Sequence, residues 1–242
     1  MPQVTIGGHR LNYEEVGSGP ALVFIAGTRF DSAKAWAPFM AEHATGFRVI
    51  LPDPRGMAGS AHTTDVSPED WVADLAGLLD ALSLPTVDLA AETFGSRIAA
   101  RFAADYPDRV THLILNGAIA YSYPDADSSR SDPSNLTPER RESMQRHHGD
   151  DWQAVNQFYV DMHARQGFHD YFDLRKVAER ITAPTLLIRG DVDDSLHPVA
   201  HSVELHRLIP RSWLSIYPNT EFNAMRAHPK EVWELIRTFV VE

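Results

Sequence analysis

Apolar and polar positions along the chain alternate between two periods. "VTIGGHRLNYEEVG" holds two short alternating runs about Gly7-Gly8, the pattern of a hairpin. "ALVFIAG" (Ala21 to Gly27) is continuously apolar and ends in glycine, as expected of a strand buried on both faces. A helix follows around Ser32 to Ala44, then the strand "FRVILPD". Ser67-Pro68-Glu69-Asp70 opens a second helix: Ser67 caps, Pro68 fits the first turn, and two acids suit the N-terminal dipole. Trp71, Leu75, Leu78, Leu79 and Leu82 mark its apolar face. Next come the strand "TVDLAAE", a helix from Ser96 to Ala104, and the strand "THLILNGA".

The alternation then breaks. "YSYPDADSSRSDPSNL" reads as an exposed loop. A polar helix starts at Thr137-Pro138-Glu139, and "DWQAVNQFYVDMHAR" forms a more apolar one. After Tyr171 the pattern resumes: a short helix, the strand "PTLLIRG", the helix "VAHSVELHRLI", the strand "WLSIY", and a last helix from Pro229 to Val240. Strands alternating with helices predict an α/β fold with a mostly parallel sheet and helices on both faces. The expected division is a core of residues 1–118 and 173–242 with a helical cap over 119–172.

Composition narrows the class. In 242 residues, hydrophobic side chains are 43% and charged ones 23%, enough apolar material for one large core. A net charge of -11 argues against nucleic acid and anionic membrane as partners, which reward clustered Lys and Arg. The chain has no cysteine, which excludes disulfides, thiolate metal ligands and a cysteine nucleophile. No signal-peptide pattern and no apolar run near the ~20 residues of a membrane span is visible. The expectation is a cytoplasmic monomer or homodimer that binds a small molecule and needs no cofactor or metal.

Five ordered stretches resemble the α/β-hydrolase family: "FIAGTRFDSAKAW", "DPRGMAGS", "AAETFGSRIAARFAADYPDRV", "APTLLIRGDVDDSLHP" and "YPNTEFNAMRAHPKEVWELIRTFV". The resemblance implies the fold and a Ser, Asp/Glu, His order of catalytic groups. Matched residue by residue, it puts Thr93 at the nucleophile, Asp193 (or Asp194, by spacing to Pro198) at the acid, and Phe222 at the histidine. It also implies oxyanion donors from the N–H groups of Thr28 and Phe94.

Phenylalanine takes no proton, and an alcohol near neutral pH needs a positioned base. The altered triad therefore predicts a non-hydrolytic enzyme, a lyase, isomerase, cyclase or decarboxylase of a partly apolar carbonyl compound. The alternatives are a ligand-binding pseudoenzyme lined by Phe222 and Phe94, or a residual esterase using Thr93 and a displaced base such as His197. Arg29, Glu92 and Glu221 are the charged candidates: Arg29 for a ligand carboxylate or carbonyl, and Glu92 with Glu221 as a carboxyl pair that raises one pKa. His147, His148, His197, His201 and His228 are expected at the surface or helix ends, with His197 the best exception. Trp152, Phe158, Tyr159 and Met162 are candidates for a lid. Trp36, Trp71, Trp213 and Trp233 are expected to pack in the core.

Overall fold

The structure, a computed structural model, describes residues 2–27, 29–122 and 136–241. Its strands are β1 (Gln3–Ile6), β2 (His9–Gly17), β3 (Ala21–Ile25), β4 (Arg48–Pro52), β5 (Val87–Glu92), β6 (Val110–Asn116), β7 (Thr185–Gly190) and β8 (Ser212–Tyr217). They form one sheet in the order β1-β2-β4-β3-β5-β6-β7-β8. The β1–β2 and β2–β4 pairings are antiparallel; every other pairing is parallel. The expected α/β-hydrolase fold, with a mostly parallel sheet, is therefore what the chain adopts.

The long helices are α1 (Ala33–His43), α2 (Pro68–Ala81), α3 (Thr93–Asp105), α4 (Pro138–His148), α5 (Trp152–Ala164), α7 (Val199–Leu208) and α9 (Pro229–Phe239). Two single turns, α6 (Phe168–Tyr171) and α8 (Ala224–Ala227), complete the set among the described residues. Ser67 caps α2 in a reciprocal capping box with Asp70, as the sequence predicts. Helices α4, α5 and α6 lie between β6 and β7. The short helix expected after Tyr171 is instead two 3-10 turns, Leu174–Lys176 and Ala178–Arg180. The Ser-, Asp- and Pro-rich loop falls largely outside the described residues.

Strand alternation distributes the core over both faces of the sheet. Val23 and Ile25 of β3 join Leu75, Leu78, Ile98 and Phe102 on the face covered by α2 and α3. Leu22 and Phe24 point the other way, to Trp36, Met40, Trp233 and Ile236 of α1 and α9. Burying one such side chain contributes about 1.5–3 kcal/mol. Trp213 departs from expectation: it is 48% exposed, because β8 is the sheet edge, where its ring meets Phe239 edge-on.

The order of strands locates the crevice. From β3 the chain moves to β4 on one side, then returns to β5 on the other. The carboxyl ends of β3 and β5 are thus a switch point where helices diverge to opposite faces and a ligand can enter. Gly27 ends the one strand and Thr93 the other. The Asp53-Pro54-Arg55-Gly56 turn buttresses the neighbouring loop, as expected: Asp53 accepts the Ala33 N–H (2.7 Å) and the Asn12 side-chain amide (2.8 Å). Arg55 forms a buried, two-pronged ion pair with Asp74 of α2.

Gly95 sets how closely α3 approaches β3. A Cβ there would lie 2.5 Å from the Ile25 carbonyl oxygen and 2.7 Å from that of Ala26, both rigid backbone atoms. Gly95→Ala is expected to cost about 1–3 kcal/mol of stability, read as a lower urea midpoint at unchanged m-value.

Candidate functional site

Thr93 occupies the turn from β5 into α3 at φ 45°. The left-handed region is unfavourable for any side chain and worst for a β-branched one. Helix α3 therefore begins at Thr93 itself and not at Ser96, since one left-handed residue completes the turn. A Cβ on Gly27 would sit 2.6 Å from Thr93 Oγ1 and 3.3 Å from Glu92 Oε1, so both oxygens crowd the end of β3.

These groups line a cavity of about 1430 Å³ at the carboxyl edge of the sheet. Of the residues singled out from the sequence, it brings together Arg29, Glu92, Thr93, Phe94, Tyr159, Asp193, Glu221 and Phe222, with Asp194, His197, His201 and His228. Trp152 is half-buried at the start of α5 and outside the lining. Phe158 and Met162 pack into the core, so among the four lid candidates Tyr159 alone faces the cavity. Thr28 lies outside the described residues.

Glu92 is buried, and its two oxygens are both acceptors: Oε1 from the Gly27 N–H (3.2 Å), Oε2 from Asn223 Nδ2 (2.6 Å). Asn223 is fixed in that orientation because its Oδ1 accepts from Asn116 Nδ2 (2.8 Å) and the Arg226 N–H (3.1 Å). Desolvation, then the nearby Asp31 carboxylate, push the Glu92 pKa up to about 7, against the pull of Arg226. The acid acting on Glu92 is thus Asp31, not Glu221, which is exposed; the expected Glu92–Glu221 pair is not formed. Asp31 in turn holds Arg226 (2.8 Å) and Trp36 Nε1 (2.6 Å).

A second charged wall carries Arg29 and Arg97, both buried. Arg29 donates through Nε (3.0 Å) and Nη2 (2.6 Å) to Asn156 Oδ1 and lies over the Tyr159 ring, 5.3 Å from its centroid. Arg97 is one turn along α3 from Thr93. Burial first, and the field of Arg97 and other cations second, hold His163 down to about 3 and His201 to about 4. Both rings are therefore neutral at pH 7.

His147 and His148 end α4 and His228 precedes α9, the helix-end positions expected, but His148, His197 and His201 are buried and not at the surface. His148 is buried with both nitrogens engaged: Nδ1 accepts the Ala58 N–H (3.0 Å) and Nε2–H donates to the Arg29 carbonyl (2.8 Å), pinning the Arg29 loop. His197 and His201 are buried on the cavity wall. Asp193, favoured from sequence as the acid, is exposed and accepts the Val199 N–H at the start of α7. The carboxylate that meets an imidazole is Asp194, 3.0 Å from His197 Nδ1. The sequence reading missed Asp31, Asn223 and Arg226 as site residues. Asn223 and Arg226 stand within four residues of Phe222, and Arg97 stands four after Thr93, the spacing that shares a helix face.

Glu92 gives the site a pH signature. Its folded pKa of about 7 exceeds the unfolded value of 4.5, so the stability that its protonation contributes is full below 4.5 and lost as pH rises through 7. The stability of the wild type minus that of Glu92→Gln is expected to fall by roughly 3 kcal/mol across this window. Urea unfolding at pH 4.5 and 7.5 checks it; a difference that stays constant contradicts the assignment.

A model of the alpha/beta hydrolase fold family matches residues 20–159. The 2-hydroxy-6-oxo-2,4-heptadienoate hydrolase of Pseudomonas putida (strain F1) is 31% identical over 88% of this chain and 86% of its own. A 2-hydroxymuconate semialdehyde hydrolase of Pseudomonas putida is 26% identical over 99% of this chain and 94% of its own. A solved meta-cleavage product hydrolase from Pseudomonas fluorescens IP01 (CumD, S103A mutant with acetates) superposes with TM-score 0.74. It covers 99% of this chain and 97% of its own at 21% identity, a likeness of fold. Relatives named as hydrolases overturn the expectation of a lyase, isomerase, cyclase or decarboxylase, and equally that of a non-catalytic receptor. That expectation took the loss of histidine at one sequence position for the loss of hydrolysis. The chain belongs to the α/β-hydrolase fold family, with relatives that are named enzymes.

Proposed function

We propose that this chain is a hydrolase of small carbonyl compounds that carry an anionic group, with Thr93 at the nucleophile position and Phe222 at the place of the family's histidine. One observation carries the reading: a β-branched residue held at φ 45° on a strand-to-helix turn, its hydroxyl lining a large cavity. Left-handed backbone at such a residue costs on the order of 1–3 kcal/mol and persists where the surroundings impose it, characteristically at active sites.

Attack by Thr93 Oγ1 on a carbonyl carbon places negative charge on the carbonyl oxygen. The Phe94 N–H stands in the first turn of α3, where amides have no helical acceptor and the helix dipole is positive, so it suits that oxygen. Arg29 and Arg97 give the adjoining wall a positive field that favours a carboxylate at the far end of the substrate. A compound with a carboxylate and a ketone, of the kind named for the Pseudomonas putida F1 relative, meets both requirements.

Activity toward 2-hydroxy-6-oxo-2,4-heptadienoate and p-nitrophenyl butyrate tests the reading. Thr93→Ala is expected to lower kcat/KM for both by about 10³-fold or more; retention of wild-type rates overturns Thr93 as nucleophile. Arg97→Gln is expected to raise KM about tenfold for mono-p-nitrophenyl succinate, leaving the neutral butyrate nearly unchanged.

A further inference from the structure

The histidine position is filled by an aromatic ring, but an imidazole lies directly against it. The rings of His197 and Phe222 stack with centroids 4.0 Å apart and planes at 16°. His197 Nδ1 lies 3.0 and 3.1 Å from the two oxygens of Asp194. Asp194 Oδ1 also accepts the backbone N–H groups of Leu196 (2.6 Å) and His197 (2.7 Å). A carboxylate that accepts two amides has no proton to offer, so Nδ1 carries the hydrogen and donates it. That leaves the lone pair on Nε2, which has no protein partner among the described residues. The ring is buried on the wall of the cavity that Thr93 also lines.

We propose that Asp194 and His197 are the acid–imidazole pair of this hydrolase, the base having moved by one stacked ring from position 222 into the loop after β7. The proposal rests on the hydrolase reading and names the group that reading requires. As Thr93 Oγ1 bonds to the carbonyl carbon, its proton passes to His197 Nε2, directly or through one water, and the carbonyl π pair moves to oxygen. Collapse of the tetrahedral intermediate breaks the bond to the leaving group, which takes the proton from Nε2. Water then attacks the acyl-threonine by the same route, releasing the acid and restoring the hydroxyl. Asp194 holds the tautomer and stabilises the imidazolium formed in each half.

The surroundings suit a base at neutral pH. Burial holds His197 below its ordinary pKa; Asp194 opposes this, and Arg189 of β7 and Arg97 of α3 add to it. His201, one turn further along α7, is itself held neutral, and Phe222 contributes no charge. Asp194 and His197 stand three positions apart, so a single turn brings the carboxylate to Nδ1. Phe222 fixes the plane of the ring from one side.

The experiment uses the full chain and p-nitrophenyl butyrate, with Thr93→Ala as reference. His197→Ala and His197→Gln are expected to lower kcat by about 10²–10⁴-fold with KM within about threefold. Asp194→Asn is expected to move the acidic limb of the pH profile of kcat/KM to lower pH, because loss of the carboxylate removes what raises the His197 pKa. The double variant His197→Ala/Phe222→His, which returns an imidazole to position 222, is expected to recover about tenfold over His197→Ala. A wild type sensitive to Thr93→Ala but not to either His197 substitution overturns the pair and leaves the hydrolase reading standing. A wild type inert toward the ester and the dienoate overturns both. Should the His197 variants unfold, an acidic limb that stays in place in Asp194→Asn overturns the pair.

Discussion

Every part of the site depends on the left-handed turn at Thr93. One residue at φ 45° converts β5 into α3 with no intervening loop, so the first-turn amides of the helix open at the sheet edge. Close approach makes the turn possible. Gly95 lets the helix touch the carbonyls of Ile25 and Ala26, and Gly27 lets β3 end against the Thr93 hydroxyl. Larger residues at either place would separate two strands whose ends define the switch point. The strain at Thr93 is local; the contacts that impose it come from a strand some seventy residues earlier in the chain.

Charge is partitioned around that turn. On one side Glu92, Asp31, Asn223 and Arg226 form a continuous network in which each amide has a fixed direction, so the segment bearing Phe222 is tied to the turn at Thr93. On the other, Arg29 is held by Asn156 and its carbonyl by His148, which bring two helices from between β6 and β7 onto the loop after β3. Buried polar groups are costly unless each finds a partner, and satisfied networks of this kind specify one arrangement of loops. The cavity thus has an acidic wall whose carboxyl is close to neutral and a basic wall whose histidines are uncharged.

Positions along the chain and atoms gathered in space give different pictures of this site. Phenylalanine at 222 removes a base from one place in the chain, and from this alone hydrolysis looks unlikely for any member of the family. Yet the loop after β7 holds the His197 imidazole against the Asp194 carboxylate and stacks it on the Phe222 ring. Asp193 and Asp194 are equivalent in composition and adjacent in sequence. They differ because Asp193 accepts the Val199 amide of α7, while the next residue turns its carboxylate toward His197.

The sequence by itself determined the elements and the fold family. Hydrophobic period, caps such as Ser67 with Asp70, and five ordered motifs are local properties, so the order of strands and helices and the location of the cavity follow from them. Trp213 marks the limit of that reading, since periodicity places it on a strand but cannot say that the strand is an edge. Tertiary structure alone decided the site's electrostatics. Glu92 meets Asn223 across 131 positions and Arg29 meets Asn156 across 127, and no local pattern encodes such pairings. Burial raises the Glu92 carboxyl and neutralises the histidines, and burial is a property of the assembled sheet and helices, because only packing removes water from those groups.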